Sequence, residues 1–195
     1  MKKLLALLFS LFFLTSPSVF ANDISDFQIE GISIGDSLLD YMTEDEIMSN
    51  KMNYLSGERK YYVAGPGNLK FKNFDSIEFY LKQNDKDFII QLFVGFDFIN
   101  NFNDCKTKKG EIERSIKSTL SNAAREDFGT IAHTFDKSGK STTTGTAFWL
   151  NDGFARVECT IWSDAIKNEY PSWKDSLSLN IGKNEVNQWF LDGYK

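Results

Sequence analysis

Residue types that build most catalytic and metal centres are scarce in this chain. Its 195 residues include one histidine, His133, two cysteines, Cys105 and Cys159, and three prolines. One histidine with no cysteine pair near it gives no zinc ligand set. Asp136-x-Ser138-Gly139 holds too few carboxylates for a calcium loop. No metal and no other cofactor is therefore expected. Basic runs are missing as well: the net charge is −5, and it becomes −7 once Lys2 and Lys3 leave with the leader described below. That balance argues against nucleic acid or an anionic membrane as partner. Beyond Leu4 to Leu14 no long apolar run occurs, and that one is far short of the roughly 20 residues of a membrane span.

What is present begins with MKKLLALLFSLFFLTSPSVFA, a basic head, an apolar middle and small residues before Ala21, the plan of a secretory signal peptide. Cleavage after Ala21 fits the V-x-A pattern, and no nearby cysteine offers a lipid anchor. The expectation is a single globular domain over 22–195, without a transmembrane span, in the periplasm or secreted. In that compartment Cys105 and Cys159 are expected to pair. On the chain-entropy model, closing a loop of this length stabilises the fold by about 4 kcal/mol.

The period of the apolar residues changes along the chain. RKYYVAG, SIEFYLKQ and DFIIQLFVGFDF are rich in aromatic and β-branched residues and read as strands, the last two as a hairpin. From Asp104 to about Ala123, Cys105, Ile112, Ile116 and Leu120 fall on one helical face, which turns Cys105 inward. EDFGTIAHTF and SLSLNI read as further strands, and Asn184 opens a terminal helix with Val186, Trp189 and Phe190. Near the start, Asp36 and Thr43 are placed to cap short helices, Thr43 and Glu46 as a capping box. The total is about seven strands and two substantial helices. Hairpins without βαβ alternation predict an α+β fold: an antiparallel sheet packed by one long helix, with short N-terminal helices and a C-terminal helix.

STTTGTAFWLNDGFARVECTIWS is the clearest hairpin, with Asp152-Gly153 as its turn. A two-residue loop there pairs Trp149 with Arg156 and Phe148 with Val157. Leu150, Phe148, Val157, Cys159 and Ile161 then form the apolar face, so the helix and hairpin patterns aim both cysteines at one interior. The opposite face carries Trp149, Phe154, Arg156, Glu158 and Trp162. An aromatic platform beside an arginine and a carboxylate suits sugar rings or peptide. The plainer alternative is that the N-terminal segment or the terminal helix covers this face.

Two motifs invite enzymatic readings. Ile32 to Met42 contains GDSL, the name of a serine esterase family in which a D-x-x-H supplies the base. Here Thr130, not aspartate, stands three residues before His133. The residues after Ser37 form hairpins where that family alternates strands and helices. Ser37 and His133 are thus the candidate nucleophile and base of the less favoured reading, since a serine hydroxyl needs a base to attack. GKS in DKSGKST lacks the first glycine of a phosphate-binding loop and reads as a turn.

GISIGDSLLDYM, FNDCKTKKGEIE and RVECTIWSD together resemble an uncharacterised family of small exported proteins from marine bacteria. The resemblance implies export and one domain, and no activity. The reading is a non-enzymatic exported protein with an unknown partner, a protein or a glycan of the cell envelope. A GDSL-like hydrolase using Ser37 and a periplasmic accessory of envelope assembly are the alternatives.

Overall fold

Strand and helix periods sort the chain into a sheet and a covering layer, as the computed structural model shows for residues 23–52, 60–99 and 101–192. The leader Met1 to Ala21 and its cleavage site lie outside these residues. Among them are ten strands: β1 (Gln28–Ile29), β2 (Ile32–Ser33), β3 (Lys51–Met52), β4 (Tyr61–Ala64), β5 (Ser76–Lys82), β6 (Ile90–Phe98), β7 (Ala124–Ala132), β8 (Thr142–Trp149), β9 (Gly153–Ile161) and β10 (Ser176–Lys183). Four α-helices join them: α1 (Glu44–Ser49), α2 (Phe102–Thr119), α3 (Asp164–Glu169) and α4 (Asn184–Asp192). Eight strands form one antiparallel sheet in the order β3-β4-β5-β6-β10-β9-β8-β7. The fold is α+β, with α2 the one long helix, of 18 residues. The seven strands read from the sequence are β4 to β10, and α2 and α4 are the two substantial helices; the two-residue strands and the six-residue α3 leave almost no periodic signal.

The main core lies on the α2 side of the sheet. Ile77, Phe79 and Leu81 of β5, Phe93 of β6, Leu177, Leu179 and Ile181 of β10 and Val157 and Cys159 of β9 point into it. Against them α2 lays Cys105, Ile116 and Leu120. Cys105 and Cys159 form a disulfide with a Cα–Cα distance of 6.0 Å, tying α2 to β9. Lys109 shares the buried face of α2 one turn after Cys105. Its ammonium bonds Glu113 and, at 3.0 Å, the Thr146 hydroxyl. An isolated buried charge would be costly, and these partners offset it.

Two sequence expectations are corrected here. Ser37, not Asp36, caps the short 3-10 turn Leu38–Asp40: its hydroxyl accepts from the Leu39 amide. Asp36 instead accepts from the Ser33 amide and the Tyr41 hydroxyl, bracing the loop below it. Leu38 and Met42 are buried, whereas Leu39 faces solvent. Thr43 and Glu46 do form the capping box of α1.

The β8–β9 hairpin is out of the expected register by two residues: Trp149 faces Phe154, and Arg156 faces Ala147. The turn is therefore centred on Asn151-Asp152, with the Leu150 amide donating to the Gly153 carbonyl at 2.8 Å. Gly153 is demanded by close approach, not by the turn. A Cβ there would lie 2.6 Å from Ile24 Cβ and 2.7 Å from the Gly182 carbonyl oxygen. A shift of two residues preserves the faces, which is why both cysteines still point to one interior.

Candidate functional site: a groove on the open face of the sheet

The residues that alternate with the core face the other side of the sheet. On the central strands they are Ser176, Ser178 and Asn180 of β10 and Arg156, Glu158 and Thr160 of β9, flanked by Glu78 and Tyr80 of β5. They floor a groove of about 570 Å³, within the size range of ligand sites. Its walls are aromatic: Phe96 and Phe98 of β6, Phe128 of β7, Trp149 of β8, and Trp162 and Trp173 from the loops beyond β9 and before β10.

The floor is a connected hydrogen-bonding layer. Arg156 Nε lies 3.0 Å from Glu158 Oε1, and its Nη1 donates to Asn187 Oδ1 at 3.1 Å. The Asn180 amide donates to Glu158 Oε2 and the Ser178 hydroxyl, both at 3.2 Å. Thr143 and Thr160 hydroxyls are paired across β8 and β9. Arg156 is only 7% exposed and Asn180 2%. Two central strands usually present apolar side chains, and burying charged and polar groups there adds nothing to a core that hydrocarbons would not do better.

A β-bulge shapes one wall. The register of β7 against β8 shifts between Asp127 and Gly129, and Gly129 has φ of +60°. Before the bulge Glu126 faces the groove, and after it the odd residues Ile131 and His133 do. The extra residue, Phe128, turns inward over Gly145, the kind of re-aiming that bulges provide. No side chain fits beneath it: a Cβ on Gly145 would meet Phe128 Cζ at 2.1 Å and Glu158 Cγ at 2.9 Å.

One end of the groove is a stack of half-buried rings. His133 and Trp162 have centroids 4.5 Å apart, Trp162 and Trp173 4.7 Å, Phe135 and Trp173 4.7 Å, and Tyr170 stacks on Trp173 at 4.8 Å. Two carboxylates hold the loops that carry these rings. Asp136 accepts from the Ser138 and Ser141 amides and from the Ser141 and Ser163 hydroxyls. The Ser138 and Ser141 side chains lead the donors that hold its carboxyl well below the usual range. Asp175 accepts from the Trp162 amide and from Lys167, each at 2.8 Å. DKSGKST is thus a turn whose aspartate braces the end of the groove, with Gly139 at φ of +71°. Burial lowers the His133 pKa to about 4 against an opposing pull from Asp136, so the ring is neutral at neutral pH.

The other end is closed by α4. Val186 is buried, and Trp189 sits edge-on to Tyr61 at 5.1 Å and to Tyr80 at 6.4 Å. The terminal helix therefore covers this end of the face, from Tyr61 and Tyr80 to Phe154, and its Asn187 reaches Arg156 of β9. Phe190 side-chain packing lies outside the described residues.

Trp149, Phe154, Arg156, Glu158 and Trp162 do share one face, as alternation requires. Trp149, Arg156, Glu158 and Trp162 line the groove, while Phe154 is buried beside Trp149 at 5.7 Å. The two-residue register shift sets Arg156 across from Ala147 and Trp149 across from Phe154. The Arg156 guanidinium sits 5.6 Å from the Phe154 ring. The polar row of β10 and the Phe128 wall were missed by sequence reasoning. SLSLNI held the first signal: the serines and asparagine that alternate with its leucines form the open face of a central strand.

Ser37 and His133 are not brought together. Ser37 lies where β6 begins, bridged to Ile89, with its hydroxyl donating to the Asp87 carbonyl. His133 follows β7 and bonds Ser141, four strands away and beside the far end of the sheet.

Compared with protein-family models, with curated proteins and with solved structures, the chain gives no match in any of the three. Among the described residues no helix is long and apolar enough to cross a membrane. The Cys105–Cys159 disulfide is consistent with an oxidising, extracytoplasmic location.

Proposed function

We propose that this is a non-enzymatic exported protein, periplasmic or secreted, that binds a glycan of the cell envelope in the groove on the open face of its sheet. The observation that carries the reading is the union of aromatic walls with a floor of hydroxyl, amide and ion-paired groups. Sugar rings present apolar faces to stack on Trp and Phe and hydroxyls to bond Ser, Thr, Asn and carboxylate. A peptide strand would use backbone pairing at a sheet edge, whereas this groove offers side chains from the middle of a sheet. The capping role of Ser37, remote from His133, supports a binding role over hydrolysis.

The test is retention on insoluble envelope polysaccharide, such as purified sacculi, by wild type and by Trp149→Ala. Retention by wild type that the variant loses supports the proposal. Equal retention of the two, or none by wild type, overturns it. Ester hydrolysis that Ser37→Ala abolishes would establish the hydrolase instead.

A further inference from the structure

The lining residues are not evenly mixed along the groove. β9 runs its length, with tryptophans at its two ends, while Phe96 and Phe128 wall its middle beside Ser178 and Glu158. At one end Trp149 stands opposite Phe154. At the other Trp162 and Trp173 stack together. Phe154 and Trp162 are eight residues apart on an extended chain, roughly 25 Å. Between them lie Arg156, Glu158 and Thr160, with Ser178 and Asn180 beside them on β10.

Accepting the glycan reading, we infer that the ligand is a linear oligosaccharide lying along β9, with one ring stacked at each aromatic end and the intervening sugars bonded to the polar floor. The separation of the two stations is several times the width of a sugar ring, so no monosaccharide reaches both. One cavity is continuous from Trp149 to Trp173, and its polar middle matches the hydroxyl-rich edge of a chain. The carboxylates Glu78, Glu126 and Glu158 in the lining outnumber Arg156 and Lys174, so an uncharged or amino-bearing chain fits better than a polyanionic one.

The experiment is a titration, followed by tryptophan fluorescence and calorimetry, with N-acetylglucosamine and its β-1,4-linked oligomers up to the hexamer. Affinity is expected to rise about tenfold or more between the monomer and the longest oligomers, as the second aromatic station engages. Trp149→Ala and Trp162→Ala should each weaken the hexamer about tenfold, while at most one of them weakens the monomer. If monomer and hexamer bind with equal affinity, the extended ligand is wrong and the groove still binds sugar. If no member of the series binds, the glycan reading and this inference fall together.

Discussion

The Cys105–Cys159 bridge should be worth several kilocalories per mole, and its loss is a sharp test of how the helix is held to the sheet. The cysteines are 54 residues apart in sequence, so the chain-entropy model gives about 4 kcal/mol at 25 °C. For a protein of this size each kilocalorie per mole shifts the melting midpoint by roughly 2–4 °C, which places the fall at roughly 8–16 °C. Both sulfurs are fully buried. The cleanest comparison is therefore among wild type, wild type with a reducing agent, Cys105→Ala, Cys159→Ala and the double variant, by scanning calorimetry. Either single change opens the loop, so each should cost nearly as much as the pair, a strongly non-additive pattern. A midpoint within about 2 °C of wild type for the reduced protein would refute the reasoning. Additive single losses would refute the claim that one bridge is responsible.

Two further outcomes follow from the groove. The His133 pKa is lowered to about 4 in the folded protein and is about 6.5 when unfolded. Stability is then full above pH 6.5 and falls toward pH 4 as only the unfolded chain takes up this proton, by at most about 1.4 kcal/mol per pH unit. Urea midpoints of wild type and His133→Gln measured across that window should converge as pH falls, and parallel curves would contradict the assignment. Gly145→Val should displace Phe128 from its wall, costing about 1–3 kcal/mol as overpacking does and abolishing glycan retention. Retention at wild-type level would mean that Phe128 is not part of the binding surface.

The fold was legible where periodicity ran long. β5, β6, β9 and α2 follow from alternation and helical spacing, and the disulfide from two patterns aimed at one core. Register was not legible in the β8–β9 hairpin, because Asp152-Gly153 carries the local signature of a tight turn while Gly153 answers a tertiary need, the approach of Ile24 and β10. The strand order was hidden too. Nothing local shows that SLSLNI leaves its place at the end of the chain to lie between β6 and β9, and that insertion turns Ser176, Ser178 and Asn180 from an apparently wet face into the floor of the groove. Phe128 was hidden for a related reason: the bulge that turns it inward is fixed by pairing with β8, not by its own neighbours in sequence.

The most direct test of the central claim is a backbone and indole NMR titration of the mature protein with soluble envelope glycan fragments. The account requires shift changes at the Trp149, Trp162 and Trp173 indoles and at the amides of β8, β9 and β10, with α2 silent. Changes centred on α2 or on the loop around Ser37, or none at saturating fragment, would contradict it.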